Sequence, residues 1–397
     1  MQPALLELHL AQLNKVWEKS KYNKYSDHKK EQYHTNLGRL IGALNQERFD
    51  TLKAAQIIEH KRVLDFIFKS LEFLDKSTFN QIPFEIVYCL KSALNEWLNK
   101  TDDFIIVTSL VNGIVEFSFD PSLVVYTDYY KIINSTYNID FTSKLIQINL
   151  PVYLARDYLA NVVLYHELGH FIDIKYQITE AIYNEILANY YHKKNLKDFE
   201  EKDLLHFFPY LNDPIYIDAF KKGFRLYIFK DHIAEYFCDI FASQYIEKCS
   251  GFYLDYLTER KSDYASTHPS TTNRNEIVDK FLNKDSSSYF LNILMDAVEK
   301  ITGKRFELRF EKYKKNDLKE LIPVEIDNEK QLHYLFVDGW NIWLNDWSEI
   351  KKINNFQFEL SQRKVYEFIN NLIEKSIGNF IITKDWEESK KNVPGKK

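Results

Sequence analysis

The stretch Val162-Val-Leu-Tyr-His166-Glu167-Leu-Gly-His170-Phe-Ile172 decides how the rest of the chain is read. Apolar residues at Leu159, Val162, Val163, Leu164, Phe171 and Ile172 predict a helix from about Ala155 to Gln177. On a helix, positions i and i+4 lie on one face, a turn apart. His166 and His170 therefore present two imidazoles to one point, as a zinc ion requires. Glu167, beside the first of them, reaches a water on the metal rather than the metal itself. Zinc brings the pKa of such a water to roughly 7, and a glutamate in that place takes its proton as it attacks a carbonyl. Gly169 leaves the helix uncrowded, so that a backbone or substrate can approach. At this chain's His and Glu frequencies the five-residue pattern arises by chance in about one such chain in fifty.

A catalytic zinc needs a third protein ligand and an open position. Glu180 and Glu185 are near in sequence, and His232 and Glu235 are more distant. Glu235 and Asp239 stand four apart in a predicted helix from about His232 to Lys248. One face then carries a ligand and a carboxylate that fixes a histidine's free N–H. Ser266-Thr-His268-Pro-Ser-Thr-Thr-Asn-Arg274 reads as a Ser/Thr-rich loop.

Taken in order, His-Glu-Leu-Gly-His, then Glu235-x-x-x-Asp239, then Thr-His268-Pro with Arg274 six residues on, resembles one gluzincin family. This is the family of the CaaX prenyl proteases, the HtpX heat-shock protease and the mitochondrial Oma-type proteases. The resemblance covers residues 135 to 282. It implies that His166, His170 and Glu235 bind Zn2+ and that Glu167 is the general base. It further implies that Asp239 orients a ligand, His268 supports the oxyanion and Arg274 braces the site through Asp239. Lys144–Leu150 is similar to that family's edge strand, which binds substrate by backbone pairing. The expected reaction is hydrolysis of a peptide bond in a protein or peptide substrate. The competing readings are a non-catalytic, metal-bearing interaction protein and a zinc hydrolase of non-peptide amides. Three features depart from the family, the first being that most relatives are membrane-embedded or exported whereas this sequence shows neither span nor signal. Asp140–Lys144 lacks the glycine-rich turn before the edge strand, and Tyr165 stands where relatives carry a small residue.

Around this core, 397 residues suggest two or three domains. Hydrophobic residues make up 45% and charged residues 27%, enough for a sizeable core. The fold class expected is α+β and mainly helical. It comprises a helical N-terminal region (1–100), a zincin-like peptidase domain with a small sheet (101–302) and an α+β C-terminal region (303–397). Ten glycines and nine prolines favour helices over tight-turn folds. In the first region, Leu5, Leu8, Leu10, Leu13 and Trp17 recur at helical spacing. Phe104–Val111 and Ile114–Phe119, joined by Asn112-Gly113, predict a β-hairpin. Arg305–Phe310 and Leu332–Val337 read as strands, and the tryptophan-rich Phe336–Trp347 as a strand pair in a core or interface, with a recognition surface, and so a recognition module in this region, as the alternative. A net charge of −5 without a basic run argues against nucleic acid as a partner. Three cysteines without a CxxC pair fit a reducing compartment. With no signal-like N-terminus and no apolar run of membrane length, the expected location is cytoplasmic.

Overall fold

The computed structural model describes residues 3–391, apart from 26, 79–82, 114–115, 124–126, 194–196, 223–225, 259–266 and 315–316. In chain order the first elements are α1 (Pro3–Ser20), α2 (His28–Leu44), α3 (Ala54–Asp75) and α4 (Phe84–Trp97). Strands β1 (Phe104–Val111) and β2 (Ser118–Asp120), helix α5 (Thr127–Tyr137) and strand β3 (Lys144–Pro151) follow. Next come α6 (Val163–Tyr176), α7 (Ile178–Leu187), α8 (Asp198–Phe207), α9 (Pro214–Lys221), α10 (Tyr227–Ile246) and α11 (Cys249–Thr258). The remainder is α12 (Thr271–Leu282), α13 (Tyr289–Thr302), α14 (Glu329–Asn341), α15 (Trp347–Ile353) and α16 (Gln362–Lys391). Among the described residues the fold is mainly helical with one three-stranded sheet. No described helix is long and apolar enough to cross a membrane.

Two compact units divide the chain, and their boundaries differ from the three expected regions. One unit is Met1–Val87 with Leu98–Ala155; the other is Tyr88–Trp97 with Arg156–Lys397.

In the first unit, Leu6, Leu10 and Leu13 of α1 are buried with Leu37, Leu40 and Ile41 of α2 and Leu64, Ile67 and Leu71 of α3. Leu5 and Leu8, expected on the apolar stripe, are exposed; Leu6 is the residue that turns inward. Among the described residues β1 and β2 do not pair as the expected hairpin. β3 lies between the other two strands, parallel to β1 and antiparallel to β2. Phe104 pairs with Lys144 and Val111 with Pro151, whereas Ser118 pairs with Asn149. Leu145, Ile146, Ile148 and Leu150 are buried on both faces of β3, the mark of a central strand. A strand at the centre is also not the edge strand expected of Lys144–Leu150. Part of the expected second hairpin strand, residues 114 and 115, lies outside the described residues.

In the second unit, α6 and α10 are buried on nearly every side. A helix that is apolar all round belongs in a core. α6 starts at Val163, later than the predicted Ala155; short turns fill the interval. It ends at Gln177, whose backbone is left-handed (φ 55°). Asp173 then accepts the Thr179 N–H at 2.6 Å, which satisfies a free donor in the first turn of α7.

The C-terminal region has no strand among its described residues. Residues 304–311 run without regular structure, with the Arg309 N–H donating to the Gln244 carbonyl at 2.7 Å. Leu332–Val337 lies within α14, and the three tryptophans follow on this helix and its continuation. Leu332, Leu335, Phe336 and Trp340 are buried at helical spacing. The Asn328 side chain caps the helix by accepting from Lys330 and Gln331. Gly339 lets α16 come close: a Cβ there would stand 3.0 Å from side-chain atoms of Ile369 and Ile373.

Candidate metal centre

The centre lies in the second unit, where α6 crosses α10 and α12 closes one side. Gly169 sets the closeness of α6 and α10. A Cβ on it would stand 3.0 Å from the Cys238 Cα and 3.1 Å from both its Cβ and Sγ. The backbone for which Gly169 leaves room is therefore that of Cys238.

This approach brings the Glu235 carboxylate between the two histidines. His166 Nε2 is 3.3 Å from Glu235 Oε2, and His170 Nε2 is 3.5 Å from Glu235 Oε1. Nitrogen and oxygen donors about 2.0–2.2 Å from a shared tetrahedral ion stand about 3.3–3.5 Å apart, so the spacing fits a metal. Glu235 Oε2 is buried and has no hydrogen-bond partner. A buried carboxylate oxygen in that condition is costly without a cation nearby, and the one the fold supplies is the Arg274 guanidinium, 3.3 Å away and outside hydrogen-bond geometry.

His166 Nδ1 is 2.9 Å from Asp239 Oδ1, which places a proton on Nδ1 and leaves Nε2, on the Glu235 side, as the nitrogen that an ion would take. Arg274, from the first turn of α12, grips Asp239 with a fork: Nε donates to Oδ2 and an Nη to Oδ1, both at 2.7 Å. The same guanidinium is 3.3 Å from Glu235 Oε2. Ser270 caps α12 by accepting from the Asn273 N–H, which fixes the helix start that carries Arg274.

The electrostatics follow from burial and these partners. Burial works to raise the Glu235 and Asp239 carboxyls, but Arg274 beside them, with the histidines, holds both below the usual carboxylate range, Glu235 well below it. Burial works to lower His166, yet its bonds to Asp239 and Glu235 lift it to about 10. His170 also moves up, against burial, through Glu235. Without an ion, the carboxylates draw protons onto the imidazoles; with one, those nitrogens are donors.

Of the other predicted site residues, Glu167 is buried on α6 between the two histidines. His268 is partly exposed, its Nε2 3.7 Å from Glu235 Oε1 and its Nδ1 2.7 Å from the Thr267 hydroxyl. Ser266 lies outside the described residues. The alternative third ligands stand elsewhere. Glu180 pairs with Lys230 at 2.9 Å, Glu185 is exposed, and the His232 ring bonds the Tyr210 hydroxyl at 3.0 Å. Tyr165 points away from the centre, its hydroxyl 2.7 Å from His333 Nδ1 and its ring against Tyr245. It fills a core position, so its bulk does not narrow the site.

One residue escaped the sequence reading. The donor atoms of His166, His170 and Cys238 all lie within 4.8 Å of one another, so this buried group could hold a metal ion. Glu235 and Cys238 thus compete as third donor. We favour Glu235, because it is anionic and faces both Nε2 atoms at ligand spacing. Burial, with Glu235 next, pushes the Cys238 thiol well above its ordinary value, so it does not ionise by itself. The i, i+3 spacing of Glu235 and Cys238 was the available signal. No family model, curated protein or solved structure matches the chain.

Proposed function

We propose that this chain is a zinc-dependent metallopeptidase of the gluzincin type, with His166, His170 and Glu235 as the residues that hold the ion. The observation that carries the reading is the buried Glu235 carboxylate, whose two oxygens face the His166 and His170 Nε2 atoms at the edge length of a metal tetrahedron while Oε2 makes no hydrogen bond. Two imidazoles and a carboxylate are a donor set that zinc accepts. When bound, such an ion polarises a carbonyl and makes water acidic near neutral pH.

The chain's own groups supply the rest. Glu167 accepts the proton of the attacking water and passes it to the leaving amine. Asp239 keeps the His166 proton on Nδ1, and Arg274 keeps Asp239 ionised and in place. His268, at the partly exposed side of Glu235, donates toward the negative charge that develops on the carbonyl oxygen. The ordered motifs shared with the CaaX protease family favour a peptide over other acyl substrates.

The test compares wild type with Glu167→Gln by metal analysis and by proteome-wide cleavage profiling. Stoichiometric zinc in both, with cleavage lost only in the variant, supports the peptidase. Identical cleavage profiles point to a binding protein. Absence of bound metal from the wild type overturns the reading.

A further inference from the structure

Cys238 lies three residues after Glu235 on α10, hence on the same helical face, and is fully buried. Its sulfur is within 4.8 Å of the donor atoms of His166 and His170. In a tetrahedral zinc site a thiolate sulfur stands about 3.5–3.6 Å from a neighbouring nitrogen donor. Closing the difference takes about 1 Å at the sulfur, within reach of rotation about the cysteine Cα–Cβ bond. The other two cysteines make the contrast. Cys89 and Cys249 are also buried, yet Cys238 alone of the three cysteines groups with His166 and His170 among the described residues, and Glu235 joins them through its 3.3 and 3.5 Å approaches to the two imidazoles. Gly169 permits the approach, since any side chain there would press on the Cys238 Sγ.

We propose that Cys238 is a fourth donor to this centre and that it closes the resting site. The inference rests on the metal reading above and adds its regulation. The ion then has His166, His170, Glu235 and Cys238 around it. On binding, the thiol gives its proton to solvent, the sulfur lone pair takes the position a water would hold, and that water leaves. A tetrahedral site with four protein donors keeps no open position. Peptide hydrolysis then requires the sulfur to withdraw, so the chain's own side chain slows wild-type cleavage without abolishing it.

The experiment loads the full-length protein with Co2+ and records its absorption spectrum, for wild type, Cys238→Ala and Cys238→Ser. Cobalt bound to a thiolate shows an intense sulfur-to-metal charge-transfer band in the near ultraviolet. The expected result is one Co2+ per chain in all three, with the band in wild type only and faster peptide cleavage by the zinc form of Cys238→Ala. Full cobalt binding by wild type without the band overturns the fourth-donor proposal and leaves the metal reading standing. Failure of the wild type to bind cobalt or zinc overturns both. Cys238→Ser, close in size and hydrogen bonding, guards against an alanine variant that fails to fold.

Discussion

Gly169→Ala is the substitution whose effect the packing predicts most directly. Alanine is the better helix former, by about 0.8–1.0 kcal/mol, so on propensity alone the change stabilises. The structure opposes it. The new Cβ would meet the Cys238 Cα at 3.0 Å and its Cβ at 3.1 Å, and ordinary contact begins about 0.4 Å further out. Two of the three crowded atoms cannot rotate away, because one is backbone and the other is fixed to it. α6 and α10 must separate instead, and overfilling a packed core in this way costs about 1–3 kcal/mol. The net expectation is a loss of up to about 2 kcal/mol in urea denaturation of the metal-free protein. Since the same separation pulls His166 and His170 away from Glu235, zinc affinity falls by at least about tenfold, measured by competition with a chelating dye. Cys238→Ala in the same chain relieves only the sulfur contact, so it recovers little. A Gly169→Ala protein as stable as wild type, with unchanged zinc affinity, would refute the close crossing of the two helices.

Three further outcomes are expected. Glu235→Ala loses the metal, whereas His268→Ala keeps it and loses rate; full zinc retention by Glu235→Ala would refute the ligand assignment. Burial holds the His333 imidazole neutral, lowering its pKa from 6.5 to about 3, and its Nε2 has no partner. The unfolded chain takes a proton there below pH 6.5 and the folded one does not, so stability is full above 6.5 and declines as pH falls toward 3. A gap of about 3.5 pH units at about 1.4 kcal/mol each bounds the loss at roughly 5 kcal/mol. His333→Phe should flatten the wild-type decline in melting temperature between pH 6 and 4, and an equal slope in both proteins counts against a neutral, buried His333.

What could be read in advance was whatever depends on one element's own period. The placement of two histidines on a helical face needs only 3.6 residues per turn, and the Glu235–Asp239 pair needs no more. Facts that depend on which element lies opposite were hidden. The Asn112-Gly113 turn signal was overridden because β3, with buried residues on both faces, takes the central place between β1 and β2. Leu332–Val337 has the β-prone look of a strand, but its buried residues follow a helical period that becomes visible only with Trp340 and the Asn328 cap included. Cys238 was invisible as a neighbour of Gly169, since nothing local says that a glycine on one helix faces a cysteine on another. Tyr165 looked like an obstruction at the site for the same reason, until its partner His333 on α14 gave it a place.

The charge balance of the centre gives a last way to separate a structural cluster from a metal site. Asp239 and Glu235 are buried carboxylates that share one guanidinium, that of Arg274. Removing one partner from a buried pair costs about 3–5 kcal/mol, because the remaining charge is left uncompensated. Arg274→Met should therefore destabilise the metal-free protein by about that amount. An ion between His166, His170 and Glu235 supplies positive charge at the same carboxylate that Arg274 attends. It takes over part of the compensation, so saturating zinc should restore a substantial share of the lost stability in Arg274→Met. In a cluster that serves only to join α10 to α12, zinc does nothing for the variant. The comparison is two urea titrations with and without zinc, on each of two proteins. Equal destabilisation of Arg274→Met in both conditions would place the ion, if one binds, away from Glu235.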